Sequence, residues 1–287
     1  MQAAMKSKFF TAKKRKKIIL YFFLILTMAF FLFPFYWIVM TSIQPKAQLY
    51  APTPNFIPKN VNLENYKNIL GAGKVNIAIA LKNSLIVAIS VTIVCIVFGN
   101  FAAYAFARLR FKGSNVLFFA LIFAQMLPPV ALLIPFYLIF KQVGLTNTLQ
   151  GLVVMQTSWL LPIVTWILFS YFKTIPRDLE DSARIDGASK VGALIRIIVP
   201  VSLPGLVSSG VICFVFSMGE FMGAMAIVNV TRFHTLPLAL AQFVTKYSIE
   251  YGKITASAVL TIIFPVAFVL IFQRYIVKGL TAGAVKE

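Results

Sequence analysis

Six stretches of this sequence carry no charged residue at all: 18–40, 83–107, 113–140, 142–172, 197–219 and 254–273. Each reaches the roughly 20 residues that cross a hydrocarbon layer about 30 Å thick. Inside lipid the backbone finds no water, so a crossing segment must satisfy its own donors and acceptors. Continuous apolar runs meet that demand as helices, and the apolar/polar alternation of a membrane barrel is missing. The sequence therefore predicts an all-α integral membrane protein with six transmembrane helices. Composition agrees: 60% hydrophobic residues, 12% charged residues and a mean hydropathy of +0.87 leave too little polar surface to cover a soluble globule of 287 residues. The run 18–40 is too long for the apolar core of a secretory signal. Phe33-Pro34-Phe35-Tyr36-Trp37 offers no small-residue cleavage site, so it reads as a retained helix with an aromatic anchor near its outer end.

The basic residues set the expected orientation. Seven lie in residues 1–17 (Lys6, Lys8, Lys13, Lys14, Arg15, Lys16, Lys17), three between the second and third runs (Arg108, Arg110, Lys112) and five between the fourth and fifth. With Arg274, Lys278 and Lys286 of the tail, 18 of the 27 fall on one side, which the positive-inside rule makes cytoplasmic. Both termini are then cytoplasmic. The chain divides into a basic N-terminus (1–17), a six-helix transmembrane domain (18–280) that includes a charged loop at 174–200, and a short tail (281–287). The net charge of +19 is thereby a topology signal and an anionic-lipid contact rather than a nucleic-acid patch. Cys95 and Cys213 lie within apolar runs without metal-ligand spacing and read as small packing residues.

Two polar segments fall on the outer side. Residues 41–76, broken by Pro45, Pro52, Pro54 and Pro58, lead to a short helix near Val61–Tyr66 with Asn62 as its cap. This segment reads either as a cover over helix ends or as a contact for a solute-binding protein. Residues 229–253 hold His234, the sole histidine, which without Cys, Asp or Glu partners nearby is no metal site.

The loop at 174–200 predicts two short helices. Thr174 and Pro176 supply a start, and Asp178, Glu180 and Asp181 crowd the first turn, where negative charge suits the helix dipole. Arg177 with Asp181 and Glu180 with Arg184 are spaced to pair, Leu179 and Ala183 share a face, and Gly187 ends the helix. Val191, Leu194, Ile195 and Ile198 then predict a second amphipathic helix that stops before Pro200.

The order Asp181-Ser182-Ala183, three residues, Gly187, nine residues, Ile197-Ile198-Val199-Pro200 resembles the "EAA" loop of permease subunits of ABC importers. The flanking Ile175-Pro176-Arg177-Asp178-Leu179 and Arg184-Ile185-Asp186-Gly187-Ala188 are similar to the family as well. The family's usual Glu, Ala and Leu are here Asp181, Ser182 and Val199, which keep charge or volume. The resemblance implies a type I importer permease bundle whose loop docks into a groove on a separate ATPase subunit. Glu180, Asp181, Ser182, Ala183, Asp186, Gly187 and Ala188 are the coupling residues it implies. Thr41-Ser42-Ile43-Gln44-Pro45, Asn65-Tyr66, Asn83-Ser84 and the tail from Gln273 to Lys286 are similar to the second permease of maltose-type carbohydrate importers. That likeness implies a bacterial inner (plasma) membrane and an assembly with a second homologous permease, two ATPase subunits, an extracytoplasmic solute-binding protein and a sugar cargo. ATP and magnesium would sit on the ATPases, and no cofactor on this chain.

Other residues are candidates for the translocation path or for the interface with the second permease. Glu220 is the only acid predicted within a span, and an intramembrane carboxyl must face protein or a watery cavity. Gly219 and Gly223 form a G-x-x-x-G pair that would let helices approach closely. Gln156 and Thr157, with Asn100, Gln125 and Ser158, are uncharged polar groups at depth. Every predicted span except the second holds a proline (Pro34, Pro128, Pro129, Pro135, Pro162, Pro204, Pro265), so the bundle is expected to be bent. The chain is not expected to be an enzyme, because Gly71-Ala72-Gly73-Lys74-Val75 lacks the spacing and hydroxyl of a phosphate loop and no catalytic set appears. Two rival readings are a secondary transporter with Glu220 as proton carrier and a membrane scaffold that moves nothing.

Overall fold

The computed structural model describes residues 2–71, 75–109, 111–244 and 249–282, with side chains described from residue 14 to residue 277 of these. The expectations on Lys6, Lys8, Lys13, Arg110, residues 72–74 and the tail side chains beyond Val277 lie outside that set. Helix α1 (Gln2–Ser42) is followed by a single turn, α2 (Lys46–Leu49), and by α3 (Glu64–Leu70). Then come α4 (Ile77–Arg108), α5 (Ser114–Phe123), α6 (Pro129–Gln142) and α7 (Leu149–Thr174). The charged loop carries α8 (Asp178–Ile185), α9 (Lys190–Ala193) and α10 (Val199–Val201). The chain closes with α11 (Leu203–Met218), α12 (Met222–Ile227), α13 (Leu236–Ala241) and α14 (Tyr251–Ala282).

Four segments are long and apolar enough to cross a membrane unbroken: Lys14–Ser42, Ile77–Arg108, Leu149–Thr174 and Tyr251–Val277. The two remaining predicted spans are bent pairs. Ser114–Met126 meets Pro129–Gln142 at 100°, and Lys190–Val201 meets Leu203–Met218 at 78°. The count of six holds when each pair is one span, but the expectation of a continuous helix over 113–140 does not. Pro128 and Pro129 lack amide donors and push Leu127 into extended backbone (ψ 128°), which ends the first half. The second cytoplasmic helix is also corrected. It runs through Pro200 to Val201, the strain taken up by a widened π-helical stretch at Leu194–Ile198, and the bend falls at Ser202.

The core is the seam where α4 lies along α7 and α11, with α14 on the far flank of α11. Val91, Cys95, Ala103, Leu152, Val164 and Leu168 are buried there. With lipid on the outside there is no hydrophobic gain in bringing helices together, so close van der Waals contact between small and branched residues holds the seam. Cys95 and Cys213 are free and fully buried within it. By contrast α1 packs on the bundle along α14, and none of its most apolar 18-residue window is buried. The aromatic anchor expected at its end is present: Trp37 packs on Phe56 at 5.3 Å and Tyr36 Oη donates to Phe56 O at 2.9 Å.

Polar side chains fasten the end of the bundle away from the charged loop. Asn65 Nδ2 donates to Ser42 O (3.0 Å) and Gln44 O (3.2 Å), and Ser42 Oγ meets Tyr66 Oη at 2.8 Å. Asn62 Oδ1 accepts from Glu64 N at 2.7 Å, so the expected cap acts two residues before the start of α3 at Glu64. Asn83 donates to Arg232 O (2.9 Å) and His234 O (3.0 Å), and Ser84 Oγ accepts from Leu236 N (2.7 Å). Asn147, in the left-handed region at φ 55°, accepts from Asn229 N and Val230 N. The segments 42–70, 144–149, 219–244 and 249–251 thus share one end of the molecule, and 111–113 and 174–202 share the other.

Candidate functional site

The charged loop folds as two short helices about Gly187. Three acids occupy the first turn of α8, and no side chain caps it. At its other end Gly187 adopts φ +87°, a conformation that an L side chain resists, while Gly187 N bonds Arg184 O and Ala188 N bonds Ala183 O. Ser189 then caps α9, accepting from Gly192 N at 3.0 Å. Asp181, Ser182, Asp186 and Gly187 are exposed, Ala188 is half-buried and Ala183 is buried. Ile185 stands 86% exposed at the tip, the most exposed large apolar side chain described, and sequence reasoning did not single it out.

Glu180 does not belong with that exposed surface. It is buried, and Tyr104 Oη donates to its Oε1 at 2.5 Å while Arg108 Nε lies 3.7 Å from its Oε2. Arg108 Nη2 also donates to Phe172 O (2.9 Å) and Ile175 O (2.6 Å), and Tyr104 Oη approaches Lys190 O at 3.3 Å. One node therefore ties α4 to the end of α7, to α8 and to α9. Among the described residues neither expected pair, Arg177 with Asp181 or Glu180 with Arg184, forms an ion pair; Glu180 turns inward to Arg108 on another helix instead. Tyr104 and Arg108 were missed. Their signal was a Tyr and an Arg one helical turn apart at the end of a span, and Arg108 had been counted only as a topology charge.

Toward the other end, Gln156 and Glu220 come together. Gln156 Nε2 donates to Glu220 Oε2 at 3.4 Å, and Gln156 Oε1 accepts from Ser217 Oγ. Glu220 is not inside a continuous span, since α11 ends at Met218. Its Oε1 accepts from Gly223 N (2.6 Å) and its Oε2 from Ala224 N (3.1 Å), so the carboxylate starts the short helix α12. This break also separates Gly219 from Gly223, which therefore do not line one helix face as the G-x-x-x-G reading expected. Gly219 is exposed, whereas Gly223 is pressed against α7: a Cβ there would lie 2.2 Å from Met155 Cε and 2.9 Å from Trp159 Cη2. Thr157 is not part of the cluster, and its Oγ1 is buried without a hydrogen-bond partner, as is Asn100 Oδ1. Gln125 Nε2 donates to Trp159 O at 3.0 Å, bracing the proline-broken hairpin against α7. A polar recess of about 220 Å³, with Lys46, Tyr50, Glu64, Asn68 and Lys253 in its wall, opens at the same end of the molecule.

Residues 95–282 match the family described as binding-protein-dependent transport system inner membrane component. The trehalose/maltose transport system permease protein MalG of Thermococcus litoralis is 35% identical over 268 residues, covering 91% of this chain and 94% of the relative. The trehalose transport system permease protein SugB of Mycobacterium tuberculosis is 35% identical over 263 residues, with 91% and 94% covered. In fold, the chain is similar to a crystal structure of a bacterial ABC transporter involved in import of the acidic polysaccharide alginate, with a TM-score of 0.77, 20% identity, and 92% and 97% of the two chains covered. With the bent six-span bundle and the helix pair at Gly187, these matches place the chain: it belongs to the binding-protein-dependent transport system inner membrane components, the permease subunits of ABC importers.

Proposed function

We propose that this chain forms, with a second homologous permease, the membrane path of an ATP-driven importer for a sugar or oligosaccharide. The relatives named for trehalose and maltose transport support a neutral sugar as cargo. An extracytoplasmic binding protein delivers it, received at the end that carries the polar recess, α3 and the 229–236 loop. Two ATPase subunits hold ATP and magnesium and supply the energy. Both termini and the Gly187 loop face the cytoplasm of a bacterial cell, in keeping with the concentration of Lys and Arg at that end.

The observation that carries this reading is the protruding α8–α9 unit. It is held at its base by a buried node and presents Asp181, Ser182, Ile185, Asp186 and Gly187 to solvent. A short helix end with one apolar tip and small neighbours fits a groove on another protein. ATP binding then draws the ATPases together, the loops follow, and the bent helices rock the cavity from one side to the other. This requires that the ATP-bound motor differ in affinity for the two permease conformations. Glu220 gives no support to a proton carrier, since both carboxylate oxygens accept backbone bonds from α12. The test is co-purification of this chain with a co-expressed ABC importer ATPase subunit from the same source. It is expected with the natural sequence and lost with Gly187→Trp, and retention of the ATPase by that variant refutes the docking reading.

A further inference from the structure

The Glu180 node has a role that the docking surface does not explain. Tyr104 and Arg108 sit one turn apart at the last turns of α4, a helix that runs unbroken for 32 residues. At the other end of the same helix, Asn83 and Ser84 hold the backbone of Arg232, His234 and Leu236. A helix of that length spans about 48 Å at roughly 1.5 Å per residue, enough to join the two ends of the bundle. Both ends of α4 are therefore pinned by side-chain bonds to loops, and its middle is locked along α7 and α11.

Resting on the docking reading above, we infer that Glu180 is a positioning residue and not a contact residue for the ATPase. Through Tyr104 and Arg108 it fixes α8 to α4, so that a displacement of the docking helix moves α4 as a rigid body and shifts the 229–236 loop at the far end. The side chains of Arg108 and Glu180 are 5% and 11% exposed, so the node is shielded from the partner that α8 touches. Arg108 also grips the carbonyls of Phe172 and Ile175, which brings the end of α7 into the same unit. The exposed Asp181, Ser182, Ile185, Asp186 and Gly187 thus serve grip, and the buried trio serves transmission.

The experiment uses the assembled transporter in nanodiscs with Val230→Cys as reporter, a 45% exposed position in the far loop. The rate of labelling by a membrane-impermeant maleimide is measured with and without ATP plus vanadate. The natural sequence is expected to show a nucleotide-dependent rate. Glu180→Gln should keep the ATPase bound but shrink that response about tenfold, the weight of one charge-assisted hydrogen bond. Tyr104→Phe, which removes only a hydroxyl and so keeps the test open if Glu180→Gln does not fold, should shrink it in the same direction. The double variant should lose little more than either single one. Wild-type response in both variants overturns the inference, as does loss of ATPase binding by Glu180→Gln to the extent seen with Gly187→Trp, or a natural sequence with bound ATPase and no response at Val230→Cys. A natural sequence that carries no ATPase overturns the docking reading, and this inference with it.

Discussion

Gly223→Ala adds one methyl group and is expected to unfold the chain more easily while leaving its pairing with a second permease intact. A Cβ at that position falls 2.2 Å from Met155 Cε, 2.8 Å from Met155 Sδ and 2.9 Å from Trp159 Cη2. Favourable carbon contacts lie at about 3.5–4.0 Å, so the overlap with the methionine methyl exceeds an ångström. Met155 is fully buried and cannot swing to solvent, and the indole beside it is rigid. Overpacking of this kind costs about 1–3 kcal/mol. The assay is reversible denaturation of the purified chain in mixed micelles, run as a cycle with Met155→Ala. Met155→Ala alone should cost about 2–5 kcal/mol. In that background most of the Gly223→Ala cost should disappear, leaving only the approach to Trp159, for a coupling of about 0.5–3 kcal/mol. If Gly223→Ala denatures like the natural sequence and loses only the second permease, Gly223 faces a partner and the packing drawn here is wrong.

Arg108→Ala leaves Glu180 buried without its charge partner and should cost about 3–5 kcal/mol, whereas Arg108→Met with Glu180→Leu recovers most of that; the same denaturation assay separates the two. Gly187→Ala meets no neighbouring atom, so its expense is purely the left-handed backbone, about 1–2 kcal/mol local to α8; hydrogen exchange of the loop should quicken while global unfolding stays put. Burial in the far loop holds the His234 imidazole below its ordinary value near 6.5. The unfolded chain then takes up the proton first as pH falls, so stability is full above about 6.5 and is lost below it; melting should drop from about pH 7.5 to about pH 5.5, and His234→Gln should flatten that slope.

The bundle was legible because its signal is local: a run without charge long enough to cross lipid needs no tertiary information. The helix pair at Gly187 was legible for the same reason, since acids at a first turn and a glycine at a helix end act within a few residues. Breaks were harder to see. Pro135 of the same apolar run, and Pro162 and Pro265 of others, sit inside helices, and nothing in the string says that Pro128-Pro129 ends one. The Glu180 partners were invisible because Tyr104 lies 76 residues away, so the nearer Arg184 looked the better mate. Glu220 misled in a related way. Its neighbours are apolar on both sides, which hid a chain break that the carboxylate itself creates by taking two backbone donors from α12.

The most direct measurement is the side from which Ile185→Cys is labelled. Cys95 and Cys213 are fully buried, so an impermeant maleimide reports the new thiol alone. Inverted membrane vesicles stripped of the ATPase should label, the signal should fall when the ATPase is restored, and right-side-out vesicles should stay unlabelled. Labelling from the outside, or a signal indifferent to the ATPase, contradicts the assignment of the Gly187 loop as the handle through which this permease is driven.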